Sequence, residues 1–298
     1  MSAFIAKDQE RIGPPSERAR EFLPEPYEPA GTQRAVAPTV CAILGVDPPA
    51  DAEEEPIAAA VEALAGTERL AHIVIDALGI ATWKRYPNSA RIVGRLAEVR
   101  YVEIQSVLPA ITPVNFATIA SGASPETHGI TNREQQLTVD TTFARLQAAG
   151  KSSAVCGRAL STTGILLAPH SSNPGVAESN TDKEVMELFM ARADEQVDYI
   201  LAQLLDVDEA GHLGGPFERY TNQALARTGF RVRNMLQAAA ENGYALLLQG
   251  DHGQHDVEPE DDAPEDHKGT HNGRRQEDVR VPFIFLTNDE LKQALEAA

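Results

Sequence analysis

The sequence predicts an α/β fold, a mostly parallel central sheet with helices on both faces, and three observations carry that expectation. From residue 70 onward, short apolar runs of strand length alternate with longer amphipathic segments. Three of those runs end in an acidic residue, the place where open α/β sheets gather ligands. The chain has 298 residues, 42% of them hydrophobic and 23% charged, which suits a globular domain with a sizeable core.

The elements follow in order. Residues 1–35, with Pro14, Pro15, Pro24, Pro26 and Pro29, read as an irregular arm laid over a domain, or a partly disordered tail. Over 37–45 a short helix is expected, with Pro38 in its first turn and Gly45 as its stop. A loop of prolines and acids leads to a second helix over 57–65. The buried-strand run 70–75 comes next, then a helix over 89–99 and an alternating strand over 101–107. Helices are expected over 116–121 and over 140–149, the latter closed by Gly150. A strand over 153–156 precedes a helix over 181–192, a strand over 199–205 and a long helix over 217–241. Strands over 244–249 and 281–286 and a C-terminal helix complete the chain. Residues 36–298 thus form a single domain behind the arm. The acidic run 258–266, with Pro259 and Pro264, reads as a solvated loop, and the whole stretch 254–268 as a mobile gate.

Composition excludes several functions. No apolar stretch reaches the roughly 18 residues that cross a bilayer, so no membrane association is expected. The N-terminus lacks the apolar core of a signal peptide, and two cysteines, Cys41 and Cys156, are too few for a disulfide framework. A cytoplasmic protein is expected, with Cys156 as core packing. The net charge of −18 repels phosphate backbones, so no stable nucleic-acid binding is expected. A small anionic substrate remains compatible with that charge if a local cation overrides the distant field. Oligomeric state is not legible.

The acids at strand ends are Asp76, Asp206 and Asp208, and Asp251, which is followed by His252. His212 stands four residues after Asp208, and His255, His267 and His271 follow later. Carboxylates converging on one sheet edge repel each other unless a cation sits among them, and divalent ions suit mixed carboxylate and imidazole donors. Each piece alone has a plainer reading, an Asp as a helix cap or an exposed Asp–His pair. Adjacent Asp251 and His252 point to opposite faces of a regular strand, and serve one ion only if the strand breaks, which Gly250 and Gly253 permit. Thr112 precedes Pro113 at a predicted helix start. It is either an N-cap or a nucleophile at the positive end of that helix, with Asn115 adding a side-chain amide.

These residues carry a resemblance. Ile75-Asp76-Ala77-Leu78-Gly79 is followed by Pro109-x-x-Thr112-x-x-Asn115-x-x-Thr118-x-x-x-Gly122-x-x-Pro125-x-x-His128-Gly129-Ile130. Then come Asp208-x-x-x-His212-x-x-Gly215-Pro216, Asp251-His252-Gly253 and Gly269-Thr270-His271. The ordered set resembles the alkaline phosphatase superfamily and, within it, the nucleotide pyrophosphatase/phosphodiesterase branch. The resemblance implies two divalent ions, Zn²⁺ or Mn²⁺. Asp76, Thr112, Asp251 and His252 would hold one, and Asp208, His212 and His271 the other. It also implies Thr112 as a nucleophile forming a phosphothreonine, Asn115 on a phosphoryl oxygen, and His128 as structural. The substrate implied is a small phosphodiester or pyrophosphate. A phosphonate (as in phosphonoacetate hydrolase-like members) or a monoester is the alternative, and a catalytically silent metal-binding scaffold is the reading from another class.

The sequence departs from that pattern in places. Gln254 and His255 follow Gly253 where the family often has Met, and Asn272 separates His271 from Gly273, so His255 or His267 is an alternative ligand to His271. Ile111 and Gln203 occupy places where the superfamily's phosphomonoesterases carry acids that build a third metal site. The stretch 36–46 resembles a segment that in many relatives follows the last strand, so 36–66 is expected as a permuted element docked on the main sheet. Trp83 and Tyr86 read as packing, or as a stacking surface for a base. Arg133 and Arg158 read as surface residues, or as contacts to a distal phosphate.

Overall fold

Leu70–Ile75 (β1) is buried at all six positions, as a strand covered on both faces must be. Its neighbours in the computed structural model, which describes residues 11–296, explain why. The other strands are β2 (Tyr101–Gln105), β3 (Ser153–Arg158), β4 (Gly175–Ala177), β5 (Tyr199–Leu204), β6 (Ala245–Gly250), β7 (His255–Asp256), β8 (Gly269–Thr270) and β9 (Arg280–Leu286). Seven of them form one sheet in the order β2-β9-β6-β1-β5-β3-β4, and β7 and β8 make a separate antiparallel pair. β1 runs parallel to both β5 and β6, and β3 parallel to β4 and β5. β9 runs antiparallel to both of its neighbours. The expected mostly parallel α/β sheet is therefore the fold.

The longer helices are α1 (Val36–Ile43), α2 (Arg91–Val99), α3 (Thr112–Ser121), α4 (Thr142–Ala148), α5 (Asp182–Asp194), α6 (Asp206–Gly214), α7 (Arg219–Glu241) and α8 (Asn288–Glu296). Alternation along β1 divides them between two faces. Ile73 and Ile75 face a core built with Leu96 of α2, Phe189 of α5, Leu225 of α7 and Leu291 of α8. Leu70 and Val74 face the opposite core, with Val40 of α1, Phe116 of α3 and Phe143 of α4. The stretch expected as a permuted element is thus built into the second core, since Val36, Val40 and Ile43 are all buried there.

Two differences from expectation bear on the site. The helix expected from 116 starts at Thr112, because Pro113 is accommodated in the first turn, where its missing N–H costs nothing. α6 was not foreseen. Its Gly211 and Gly214 weaken any helical pattern, and a Cβ at Gly211 would lie 1.6 Å from the Gln254 side chain. The arm, for its part, lies over the domain along its described part, the first of the two states expected of it. Gly13 N–H donates to the Arg274 carbonyl at 2.8 Å, Ser16 N–H to the Glu277 carboxylate at 3.1 Å, and Arg18 pairs with Asp256 and Glu218. Residues 1–10 of the arm lie outside the described residues.

Among the described residues no helix is long and apolar enough to cross a membrane. Cys41 and Cys156 are both buried free thiols, and burial pushes each up to about 12. Trp83 packs edge-on against Tyr101, and the Tyr86 hydroxyl donates to the Glu218 carbonyl, in keeping with a packing role.

Candidate metal centre

The parallel neighbours β1 and β6 end side by side, Ile75 opposite Gly250, so the next residues, Asp76 and Asp251, emerge together. The strand break anticipated at Gly250 and Gly253 is real. Ala77 takes a left-handed φ of 60° just after Asp76, and its N–H donates to Asp251 Oδ1 at 3.2 Å. A Cβ at Gly250 or Gly253 would collide with backbone, at 2.3 and 2.0 Å respectively, so only glycine fits this close crossing. The break lets Asp251 and His252 face one point. His252 Nε2 lies 3.3 Å from Asp251 Oδ2 and 3.4 Å from Asp76 Oδ1.

Thr112 closes this first group. The N-cap of α3 is Ile111, and no side chain caps the helix. The capping reading of Thr112 is therefore replaced: its hydroxyl donates to His252 Nε2 at 3.1 Å. That direction follows from the tautomer, because His252 Nδ1 donates to the Gly253 carbonyl at 3.1 Å and leaves Nε2 as an acceptor.

The second group uses one turn of α6, which sets Asp208 and His212 on the same face. His212 Nε2 lies 3.3 Å from Asp208 Oδ1, His271 Nε2 lies 3.5 Å from the same oxygen, and the two Nε2 atoms are 3.1 Å apart. Both rings again spend Nδ1–H on a carbonyl, His212 on Gly269 at 2.9 Å and His271 on Ala110 at 2.7 Å. Two imidazole lone pairs and a carboxylate thus converge on one spot. Such a donor set suits a cation.

The electrostatics agree. Burial, then the charges of Asp251 and Asp208, push the Asp76 carboxyl well above the usual carboxylate range. Burial, then Asp208, push Asp251 up to about 8. Burial pulls His252 down to about 4 and His271 to about 3, keeping both rings neutral. Burial, the largest influence, works against the charged forms of Asp208 and His212, but their hydrogen bond and mutual attraction, joined by His271 and His252 acting on Asp208 and by the Gly269 carbonyl on His212, together outweigh it, lowering the first and raising the second. Asp76 Oδ1 and Asp251 Oδ2 have no hydrogen-bond partner although both are buried. Two carboxylate oxygens left bare in a closed pocket fit a divalent cation, as does the donor set Asp208, His252 and His271.

The remaining sequence candidates sit as follows. Asn115 is fully buried; its Oδ1 accepts from Val107 N–H at 3.1 Å and its amide donates to the Ile111 carbonyl at 3.2 Å, with one amide hydrogen to spare. His255 stands outside both donor groups, bonded to Asp278 and Asp261. His267 is beside the second group as a ring packed on His212, centroids 4.5 Å apart. His128 bonds Thr118 and the Ile130 N–H, a structural arrangement. Arg133 is exposed beside Glu134, whereas Arg158 is only 4% exposed and bonds Asp182, Asp206 and Glu209. The surface reading of Arg158 is thereby corrected: acids 24, 48 and 51 positions further on enclose it. Residues 254–268, expected as a mobile gate, are held at three points, β7 pairing with β8, the Asp261 side chain packed on His255 and Glu258 paired with Arg275, while most of 259–266 is exposed, as expected of a solvated loop.

Sequence reasoning missed the residues that orient the donors. Gln203 Nε2 donates to Asp76 Oδ2 at 2.6 Å, and its Oε1 accepts from the Thr163 hydroxyl at 2.8 Å. Gln254 Nε2 donates to Asp208 Oδ1 at 2.7 Å. Ser106 and Gln33 both donate to the Asp251 carbonyl. The available signals were Gln254 standing where the resemblance led to Met and Gln203 standing where phosphomonoesterases carry an acid.

The profile of the type I phosphodiesterase / nucleotide pyrophosphatase family matches residues 70–143 and 142–273, which include every donor above. Among curated proteins no sequence matches. Among solved structures, murine ectonucleotide pyrophosphatase / phosphodiesterase 5 is similar in fold, with TM-score 0.54 and 12% identity over 64% of this chain and 59% of that one. An inactive form of the same murine protein in complex with AMP gives TM-score 0.53, 12% identity and the same coverage. The C-terminal periplasmic domain of EcEptC from Escherichia coli, in complex with Zn, gives TM-score 0.51 and 13% identity over 76% of this chain and 75% of that one. The chain therefore spans 59% of the length of the murine relative.

Proposed function

Because the chain belongs to the type I phosphodiesterase / nucleotide pyrophosphatase family, we propose that it is a metal-dependent hydrolase of phosphodiester or pyrophosphate bonds, with Thr112 as its nucleophile. One observation carries the reading: the Thr112 hydroxyl points at His252 Nε2, beside the bare oxygens of Asp76 and Asp251. Asp76, Thr112, Asp251 and His252 would hold one divalent cation, and Asp208, His212 and His271 a second, zinc or manganese. Ions bound there would supply the positive charge that acidifies a hydroxyl and offsets phosphoryl charge.

The chain's own groups do the rest. Thr112 Oγ1, its proton lost to water, attacks phosphorus in line; the leaving oxygen departs with its bonding pair and takes a proton from water, and a phosphothreonine that keeps the substrate's other substituent results. Water then attacks from the opposite side, its proton returning to Thr112 Oγ1 as that oxygen leaves, and the product is released as a monoester. Equatorial charge that develops in both steps meets the N-terminal N–H groups of α3 and the spare amide hydrogen of Asn115. Binding of AMP by the murine relative supports a nucleotide-like substrate, and the Zn complex of the E. coli domain supports zinc. Preference for a diester over a monoester follows from Gln203 and Ile111: a neutral amide engages Asp76, and no acid precedes Thr112, so nothing recruits a third cation for a dianion.

The test is turnover of bis(p-nitrophenyl) phosphate, with p-nitrophenyl phosphate and phosphonoacetate alongside, before and after chelation. Diester cleavage that disappears on chelation is expected. A faster monoester or phosphonate reaction overturns the substrate reading, and no turnover of any of the three favours a silent scaffold. We also read residues 36–66 as a permuted element, an idea supported by the burial of α1 in the second core. Strand-by-strand superposition tests it: a relative whose C-terminal helix packs on the other face of the sheet overturns it.

A further inference from the structure

His255 takes no part in either donor group, yet it is only 1% exposed. Its Nδ1 lies 2.8 Å from Asp278 Oδ1 and its Nε2 lies 3.0 Å from Asp261 Oδ2, so both ring nitrogens donate to carboxylates. Asp278 is a junction. Its Oδ2 accepts the N–H of Gly273 at 3.1 Å and those of Asn272 and Arg275 at 3.4 Å. Its backbone carbonyl accepts the N–H of Gly253 at 2.7 Å. Asp261 adds a contact of its own, accepting from the Asn272 side chain at 3.4 Å.

Asn272 follows His271 and Gly253 follows His252. One imidazole therefore ties together the residues next to a donor of each group. The surroundings leave no slack: a Cβ at Gly253 would sit 2.0 Å from the Glu277 carbonyl, so this crossing moves as a unit with the 277–278 backbone.

We propose that His255 is a positioning residue for both cation sites: it locks Asp278, and through it the backbone that aims His252 and His271. The proposal rests on the reading of those residues as metal ligands. It assigns a role to a position where the sequence departs from its family's pattern, and it distinguishes His255 from an ordinary buried histidine. A merely structural role would cost stability without changing how ions are held.

The experiment titrates the metal-stripped full chain with Co²⁺, following heat and the visible absorption of the bound ion. In His255→Phe both ions should bind roughly 10- to 100-fold more weakly, the usual effect of losing an outer partner of a ligand, with an altered absorption band. His128→Phe, which also removes a buried imidazole with two bonds, should lower the melting temperature and leave affinity and band unchanged. Wild-type affinity and band in folded His255→Phe overturn the proposal, as does an equal loss in His128→Phe. If His255→Phe does not fold, Asp261 decides: Asp261→Ala should weaken binding, and Asp261→Asn, which keeps an acceptor for Nε2, should restore most of it. Unchanged binding in Asp261→Ala overturns the proposal. Failure of the wild-type chain to bind ions overturns the metal reading itself, and this one with it.

Discussion

The imidazoles of His252 and His271 are stacked, with centroids 3.7 Å apart and planes 17° from parallel, although they belong to different donor groups. Two neutral rings in van der Waals contact make the two groups mechanically one. Their chemistry is equally joined, since Asp208 lies close enough to His252 and His271 to form a donor set with both.

Removal of metal should therefore abolish activity in one step. Exhaustive treatment with EDTA is expected to leave no turnover of a diester, and Zn²⁺ or Mn²⁺ should restore it. Activity that survives verified removal of both ions contradicts the two-ion reading.

The metal-free chain should lose stability as pH rises. In the folded state Asp251 is pushed up to about 8 and Asp76 is also raised, whereas His252 and His271, pulled down to about 4 and about 3, hold fewer protons than in the unfolded chain below about pH 6.5. The two effects oppose each other below that pH, so the fall in stability is expected from about pH 6.5 up through about pH 8, where the raised carboxyls act unopposed by these rings. Urea unfolding across that range should show the decline, and saturating Zn²⁺ should remove most of it. A flat or rising profile without metal contradicts the prediction.

Thr112→Ala should keep the fold, because Thr112 is partly exposed and its side chain caps no helix. Turnover should fall roughly 10³-fold or more, about 4 kcal/mol at about 1.36 kcal/mol per decade. Acid quenching of the wild-type enzyme should trap phosphate on the peptide containing Thr112. Near-normal kcat in the variant would falsify a covalent role for this hydroxyl.

Gly211→Ala places a methyl 1.6 Å from Gln254 Oε1, so the amide that holds Asp208 must leave. A stability loss of about 1–3 kcal/mol is expected from the forced repacking. Weaker Zn²⁺ binding should accompany it, measured by calorimetry. Wild-type metal affinity would mean that Gln254 does not orient Asp208.

Much of this was legible in the sequence, and the reasons are local. β1 and β6 announce themselves as largely apolar runs, and Asp76, Asp251 and His252 follow them directly. α6 was hidden because close packing demands glycine at 211, which erases the helical signature. Gln203 and Gln254 carry no charge, so nothing in their spacing marks them as partners of ligands. Arg158 was misread because its partners lie far along the chain, Asp182 among them, and for the same reason the tie from Glu258 to Arg275 in the solvated acidic run after His255 was not legible. Composition reports what a segment is made of, not which distant charge it meets.

β9 lies between β2 and β6, yet it is the last strand to be synthesised. A chain emerging from the ribosome has made β2 some 180 residues before its neighbour in the sheet exists. Until then β2 has no strand to pair with, and β6 presents an open edge beside Asp251. Ser16 waits longer still for Glu277, 261 residues away. Closure of the sheet beneath the candidate metal centre is thereby postponed until residues 280–286 have been made, and a ribosome-bound fragment ending before residue 280 is left with a divided sheet.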